Sequence, residues 1–192
     1  MIDDLSRERD FWGLCTNTFF EETKHFVYGK LMGLTEQSNS FKLDSPKRIL
    51  DIGGGPVSML LKVQNLAAGT VVDPLDFPQW TVDRYKSYSI DVIKEKAEYT
   101  DLKGYDEVWI YNVLKDTVDP ERIISNAKKA APVIRMFEWV NLGPDAGKHE
   151  LTEDLLNAWI GQKGKTVQLT QRNCYGKAYF GKFEGWSWDF MR

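Results

Sequence analysis

The sequence predicts an α/β fold: a mostly parallel, seven-stranded sheet that ends in an antiparallel hairpin and has helices on both faces. The first observation is an apolar run that passes through three glycines, RILDIGGGPVSMLL at 48–61. The second is the alternation of short apolar runs with helical patterns along the chain. The third is a pair of alternating runs, 166–170 and 178–184, whose short connection makes them antiparallel neighbours.

Length and composition narrow the class of protein. The 192 residues suffice for one sizeable core, so we expect 1–192 to form a single domain. Charge is nearly balanced, with 25 Lys and Arg against 28 Asp and Glu, which disfavours nucleic acid as a partner. The charged N-terminus and the lack of a long apolar window predict no membrane partner. Two distant cysteines, Cys15 and Cys174, fit a reducing, cytoplasmic location, and no cluster has metal-ligand spacing.

The segment before the first strand, 1–46, reads as helical. Thr18 begins a capping-box pattern that predicts a helix running to about Leu34. Trp12 precedes this cap, and it either packs the helix on the sheet or belongs to a lid over a ligand. On the helix, Tyr28 either packs or is a second candidate for the lid, and His25 reads as a packing residue.

The glycine turn directly follows a buried strand at 49–52. Glycine permits positive φ and keeps side chains away from a ligand. Pro56 suits the first position of a helix, which we expect to end near Leu66. The small residues at 67–69 then predict a turn into a second strand at 70–73. A strand, a glycine turn and a helix N-terminus together form a nucleotide-binding corner.

The residues around this turn narrow the ligand. The candidates at the turn are Asp51, Gly53, Gly54 and Gly55. A dinucleotide fingerprint needs a third glycine where Ser58 stands, and a carboxylate would repel phosphates but attract an ammonium group. At the tip of the second strand, Asp73 is placed to accept hydrogen bonds from ribose hydroxyls. Alternatively, Asp73 caps the next element with Pro74.

The segment DIGGGP resembles motif I of the class I S-adenosylmethionine-dependent methyltransferases, in the variant found in small-molecule N-methyltransferases. The family often has a further glycine where Val57 stands. The resemblance implies a Rossmann-like core at 47–192, a helical lid at 1–46, and S-adenosylmethionine as the cofactor. It also implies further cofactor-binding residues, which are Asp73, Pro74, Ala97, Asn112, Val113 and Trp12.

The third strand is predicted at 90–93 and is followed by a charged turn. Ala97 occupies the position at which related methyltransferases contact the adenine edge, and Lys96 replaces the acidic residue usual there. The backbone of Ala97 is therefore the expected contact. A solvated charged turn is the alternative interpretation.

The fourth strand is predicted at 108–113, and the segment after it resembles methyltransferase motif IV. Asp116 stands where the family often has histidine. Asn112, at the carboxyl end of the strand, is expected beside the methionine part of the cofactor, or it satisfies loop backbone groups. Asp119 and Pro120 read as the cap and first position of the next helix.

Three side chains are candidates for the general base that a hydroxyl acceptor would need. Glu138 lies near the carboxyl edge of the apolar strand at 132–140, where it either faces a substrate or pairs with a structural Arg or Lys. His149 precedes a helix opened by Thr152 and is either a base or a surface histidine. The third candidate is Asp116.

We therefore expect methyl transfer to a hydroxyl or amine of a small-molecule acceptor, such as a sugar-like metabolite. The aromatic tail at 185–192 should pack on the core or join two copies in a homodimer. One alternative is a methyltransferase-fold protein that binds a partner without catalysis. The other is a nicotinamide-dependent oxidoreductase, which the missing third glycine and the terminal hairpin disfavour.

Overall fold

The computed structural model of the chain describes residues 5–143, 147–171 and 173–186. The helices are α1 Ser6–Trp12, α2 Phe19–Leu31, α3 Gln79–Ser87, α4 Pro120–Ala130 and α5 Glu153–Ile160. The strands are β1 Thr35–Gln37, β2 Ser40–Lys42, β3 Lys47–Ile52, β4 Leu66–Val72, β5 Ile90–Ile93, β6 Glu107–Tyr111, β7 Val133–Val140, β8 Lys165–Gln171 and β9 Cys174–Glu184. No helix within these ranges has the length and apolar character needed to cross a membrane.

The seven strands β3 to β9 form one sheet in the order β5-β4-β3-β6-β7-β9-β8. Neighbouring strands are parallel from β5 to β7, whereas β9 is antiparallel to both β7 and β8. The predicted fold class is thereby confirmed. Strand order reverses at β3, since β4 lies on one side of it and β6 on the other. A crevice for a ligand is expected where such a reversal meets the carboxyl ends of the strands.

Helices cover both faces of the sheet because side chains alternate between the faces. Ile49 and Trp109 belong to an apolar cluster that includes residues of α2 and α3. Leu50 and Ile110 belong to the cluster that includes residues of α4 and α5. The same alternation places Glu138 on the α4 side of β7.

The segment after the glycine turn differs from the predicted helix. It forms two 3-10 turns, Gly55–Val57 and Met59–Lys62, which are separated by Ser58 in an extended conformation with ψ 144°. The Ser58 N–H donates to the Tyr85 hydroxyl at 2.7 Å, so a contact from α3 replaces a helical hydrogen bond. The prediction of an α-helix starting at Pro56 is therefore wrong.

The predicted turn at 67–69 is also wrong, because these residues lie within β4. Gly69 pairs with Ile49 of β3 in parallel register. A Cβ atom at Gly69 would lie 2.9 Å from Leu60 Cδ1. The glycine thus makes room for packing between strand and turn, rather than marking a chain reversal.

The leading segment is not helical throughout. After α2, strands β1 and β2 form a hairpin whose two-residue turn has positive φ at Ser38 (50°) and Asn39 (58°), as a type I′ turn requires. The predicted helix stops at Leu31 rather than at about Leu34, and Gly33 follows with φ 80°. The buried residues of α2 are His25, Val27, Tyr28 and Gly29.

A buried ion cluster lies near the amino ends of the central strands. The Glu107 carboxylate accepts hydrogen bonds from Arg135 Nε at 2.7 Å, Lys47 Nζ at 2.8 Å and Trp109 Nε1 at 2.9 Å. Burial raises the pKa of Glu107, but these donors outweigh it and hold the pKa below its usual value. Arg135 Nη1 also donates to the Met32 carbonyl at 2.7 Å, which fastens the end of α2 to the sheet.

The predicted N-cap residues of the helices α4 and α5 are confirmed. Asp119 accepts the Arg122 N–H at 3.0 Å and caps α4, and Thr152 accepts the Leu155 N–H at 3.2 Å and caps α5. In the aromatic tail, the Trp186 ring lies 5.5 Å from Lys128 Nζ. Residues 187–192, on which the homodimer prediction mainly depends, lie outside the described residues.

Candidate functional site

A cavity of about 420 Å³ opens at the carboxyl ends of β3, β4 and β6. Its walls come from the glycine turn, the loops after these strands, and the helices α1 and α2. The sequence-predicted cofactor residues among its lining are Trp12, Gly53, Gly54, Gly55, Asp73, Pro74, Ala97, Asn112 and Val113. Residues predicted from distant parts of the chain thus meet around one space.

The turn at 53–55 requires glycine because of its backbone angles and because neighbouring side chains of the protein lie close to it. Gly53 and Gly55 have φ of 68° and 61°, where side chains are disfavoured. A Cβ atom at Gly53 would clash with Val113 Cγ2, and one at Gly54 would lie 2.5 Å from Asp51 Oδ2. The absence of side chains therefore lets the turn pass between its own neighbours and still line the cavity.

Asp51 lies behind the turn and does not line the cavity. Its Oδ2 accepts hydrogen bonds from Ser58 Oγ at 2.5 Å and from the Tyr111 hydroxyl at 2.6 Å. Its Oδ1 is buried without a partner among the described residues. Burial raises the pKa of Asp51 to about 7, the two donors oppose this shift, and the charge of Asp73 adds to it. Direct contact between Asp51 and a ligand stays a prediction.

Asp73 lies at the end of β4 and lines the cavity. Its Oδ2 accepts the Gly55 N–H at 3.1 Å and its Oδ1 accepts the Leu75 N–H at 2.9 Å. Each carboxylate oxygen can accept a further hydrogen bond. Burial raises the pKa of Asp73 to about 6, and the carboxylate of Glu8 on α1 contributes to the increase.

The turn after β5 closes the same end of the cavity. Ala97 is nearly buried, and the Asn126 side-chain amide donates to its carbonyl at 3.2 Å. Glu98 Oε1 accepts the Val118 N–H at 2.7 Å. The charged turn is thus tied to the loop before α4, rather than lying free in solvent as the alternative interpretation would have it.

Glu138 supports the loop that follows β6. Its Oε1 accepts the N–H groups of Val113 at 2.9 Å and Leu114 at 3.0 Å, and its Oε2 is buried without a partner among the described residues. The loop begins at Asn112, which has φ 54° and donates its N–H to the Phe137 carbonyl at 2.9 Å. Both contacts hold the loop to β7.

The three candidate bases occupy different positions. Asp116 lines the cavity and pairs with Lys115. Glu138 does not line the cavity. His149 does not line it either. Its Nε2 lies 3.0 Å from the Thr117 carbonyl oxygen. A carbonyl oxygen only accepts hydrogen bonds, so this nitrogen is the donor. The His149 backbone N–H also donates to the Lys115 carbonyl at 3.0 Å. Of the three, only Asp116 is brought to the site.

Burial raises the pKa of Glu138 to about 7. The N–H groups of Leu114 and Val113 and the charge of Lys115 oppose this increase, whereas the charge of Asp116 adds to it. Neither of the sequence interpretations of Glu138, a substrate-facing carboxylate or a partner of a structural cation, matches this placement.

Helix α1 covers the turn from the outside. Trp12 lines the cavity, and its Cζ2 atom lies 3.3 Å from the position that a Cβ atom would take at Gly55. Phe11 packs edge-on against Trp12 with ring centroids 4.9 Å apart. None of the residues of α1 is buried.

The sequence predicts a lid at 1–46, but of the α2 side chains in the cavity wall it indicates only Tyr28 as a lid candidate. Four residues of α2 line the cavity, Glu21, Lys24, His25 and Tyr28. Their spacing of i, i+3, i+4 and i+7 places them on one helical face. The sequence signal of this wall is therefore a polar stripe along α2, which apolar spacing does not reveal.

Comparisons by sequence find nothing. No protein family profile matches the chain, and no curated protein is similar to it in sequence.

Comparisons by structure identify the fold. The N-methyltransferase NodS from Bradyrhizobium japonicum, in complex with S-adenosyl-L-homocysteine, is 14% identical with a TM-score of 0.62, over 88% of this chain and 89% of that one. Magnesium protoporphyrin IX methyltransferase from Synechocystis, with bound S-adenosylmethionine, is 15% identical with a TM-score of 0.58, over 94% and 97%. The [4+2]-cyclase SpnF is 17% identical with a TM-score of 0.54, over 77% and 58%. The chain has the fold of class I S-adenosylmethionine-dependent methyltransferases.

Proposed function

We propose that the protein binds S-adenosylmethionine and transfers its methyl group to an amine or hydroxyl of a small-molecule acceptor. The observation that carries this proposal is the convergence of the glycine turn, Asp73 and the loop at Asn112 on one cavity at the carboxyl edge of the sheet. Fold alone does not decide it, since folds host many activities.

The residues of the cavity fit the parts of such a cofactor. Asp73 has free acceptor capacity for ribose hydroxyls, and Pro74 and Ala97 offer the walls of a nucleoside site. The glycine turn exposes backbone for the amino acid part. The nearby Asn112 amide can bind either an ammonium or a carboxylate group.

When bound, the cofactor supplies a methyl group on a positively charged sulfur. The task of the chain is to hold the acceptor close and aligned, because proximity alone can account for much of the rate. The Tyr111 and Trp12 rings line the cavity, and aromatic faces tolerate positive charge. Asp116 is placed to hold the proton of a hydroxyl acceptor. Glu138 and His149 act behind the loop, as supports.

A second candidate is binding without methyl transfer. The displacement of Glu138 and His149 from the cavity favours it, because methylation of a hydroxyl needs a base and only Asp116 of the three candidates lines the cavity. One of the similar structures is a cyclase, so the fold by itself does not favour methyl transfer over binding alone.

Calorimetric titration tests the cofactor. We expect S-adenosylmethionine and S-adenosylhomocysteine to bind with 1:1 stoichiometry and NADH not to bind. Binding of NADH alone would favour the oxidoreductase alternative and contradict the proposal. Methyl transfer is then measured with labelled S-adenosylmethionine on amine and hydroxyl acceptors, including simple sugars. Tight cofactor binding without transfer to any acceptor would favour the binding protein.

A further inference from the structure

Two polar groups of α2 at the cavity lack partners among the described residues. His25 and Tyr28 both line the cavity, and His25 Nδ1 and the Tyr28 hydroxyl are buried without a hydrogen bond. The nearby Trp139 side chain, with ring centroids 6.3 Å apart, interacts with the Tyr28 hydroxyl but does not meet the geometry of a hydrogen bond. Buried polar groups in folded proteins are nearly always paired, so two orphans at one cavity point to a ligand.

The charges around this pair are already matched within the protein. Lys24 Nζ lies 2.5 Å from Glu21, and Lys62 Nζ lies 3.1 Å from Glu22. Burial, together with the positive charge of Lys62, lowers the pKa of His25 to about 3, so the imidazole is neutral at physiological pH. This end of the cavity therefore presents uncharged hydrogen-bonding groups.

The surrounding walls are aromatic. The rings of Phe11, Trp12 and Tyr111 line the cavity alongside Tyr28. The Tyr111 hydroxyl is occupied by Asp51 and by the Met59 N–H, so Tyr111 offers ring surface rather than a polar tip. Flat aromatic walls complement a planar ring through stacked or edge-on contacts.

We infer that His25 and Tyr28 form the acceptor subsite, and that it takes an uncharged aromatic ring bearing a hydroxyl or amino group. This inference rests on the proposed function, because it assigns the acceptor of that reaction. The neutral imidazole and the phenol each supply one hydrogen bond to the substituent, which orients it. Burying a charge beside these two neutral groups costs free energy, so the subsite favours an uncharged acceptor over a charged one.

The experiment uses the full chain, labelled with ¹⁵N and saturated with S-adenosylhomocysteine. The sequence contains two histidines, and His149 lies outside the cavity, so it is an internal reference in the same imidazole spectrum. The probes are phenol, aniline and 3-hydroxypyridine, with cyclohexanol, benzoate and benzylamine as counter-probes. We expect the first three to shift the His25 ring resonances and to leave those of His149 in place.

The matched variants are Tyr28→Phe and Tyr88→Phe. The first deletes a hydroxyl from the subsite, and the second deletes one from an exposed position at the C-cap of α3, outside the cavity lining. Tyr28→Phe should weaken binding of the ring probes about tenfold, the loss of one hydrogen bond, and leave the Kd of S-adenosylhomocysteine within about twofold. Tyr88→Phe should change neither. The thermal midpoint of Tyr28→Phe should not fall, because an unpartnered hydroxyl is removed.

The outcomes separate the two proposals. If S-adenosylhomocysteine does not bind, the proposed function fails and the acceptor subsite fails with it. If it binds but the ring probes leave His25 unmoved, the acceptor subsite is wrong and the proposed function stands. Equal shifts from cyclohexanol or benzoate, or equal probe affinity in Tyr28→Phe, also overturn the subsite.

Discussion

Glu138 and Val113 are joined by a hydrogen bond of 2.9 Å that runs from the buried face of β7 to the loop lining the cavity. A second bond from Leu114 to the same carboxylate oxygen makes Glu138 the main support of that loop. A residue that sequence analysis proposed as a base thus stands behind the site. Its contribution is to fix where the loop backbone lies.

Two substitutions of Glu138 should separate its role as a hydrogen-bond acceptor for the loop from the effect of its negative charge. Glu138→Ala leaves two N–H groups of the loop without an acceptor, and we expect it to lower the free energy of unfolding by about 2–4 kcal/mol. Glu138→Gln keeps one acceptor oxygen and should retain most of that stability. Urea unfolding at pH 8 measures both. Equal loss in the two variants would show that the charge, not the acceptor, stabilises the loop.

A comparison of the wild-type protein with Glu138→Gln also tests how the free energy of unfolding depends on pH. The folded-state pKa of Glu138, about 7, exceeds its usual value of 4.5. The folded protein therefore binds more protons than the unfolded chain between these values, and the contribution of this group to stability is lost as pH rises through 7. Glu138→Gln should flatten the stability profile between pH 5 and 8. An unchanged slope would contradict the raised pKa.

Gly53→Ala should lower the free energy of unfolding by more than the strain of a positive φ alone. A Cβ atom there clashes with Val113, and φ is 68°. Gly104, with φ 88° and its nearest atom 3.8 Å away, is a matched control for strain alone. We expect Gly104→Ala to cost about 1–2 kcal/mol and Gly53→Ala at least about 2 kcal/mol more. Similar losses in denaturant unfolding would mean that the contact with Val113 relaxes freely.

Asp73→Asn should weaken cofactor binding. The amide keeps one acceptor oxygen, so either Gly55 or Leu75 loses its partner, and a ribose hydroxyl loses a charged acceptor. We expect the Kd of S-adenosylhomocysteine by calorimetry to rise at least about tenfold. Asp76→Asn changes an exposed carboxylate paired with Lys94 and should leave Kd within about twofold. Equal affinity in both variants would remove Asp73 from the binding site.

Asp116→Asn tests the one candidate base that lines the cavity. If Asp116 holds the proton of a hydroxyl acceptor, the variant should lose about two orders of magnitude in kcat on that acceptor. Amines, which need no base before transfer, should lose much less, and the Kd of S-adenosylhomocysteine should not move. Steady-state kinetics with a hydroxyl acceptor and with an amine acceptor measures this difference in kcat. Equal losses on both would reduce Asp116 to a positioning residue.

The parts of the fold that sequence predicted correctly are those fixed by local chemistry. The strand at Ile90–Ile93 and the caps Asp119 and Thr152 follow from neighbouring residues. The turns after Pro56 do not, because Ser58 is held by Tyr85 of α3, far along the chain. No local pattern reports a contact of that kind.

The site was predictable to a similar extent. Positive φ required glycines at 53 and 55, and the close approach of Asp51 required one at 54. Strand position brought Asp73 and Asn112 to the cavity. The role of Glu138 depends on where the N–H groups of the following loop point, which only the folded structure reveals. His25 was read as packing because burial and function look alike in a helical pattern.

The Arg135 bond to the Met32 carbonyl gives α2 a fixed pivot at its far end. If the helix swung outward about that contact, which would break the ion pair between Lys62 and Glu22, its first turn would move most and Tyr28 least among the cavity residues. Glu21 and Lys24 would therefore yield to bulky substituents, while the groups nearer the pivot keep their positions. We expect the range of molecules admitted to vary at the mouth of the cavity, and the chemical group recognised at its base to stay constant.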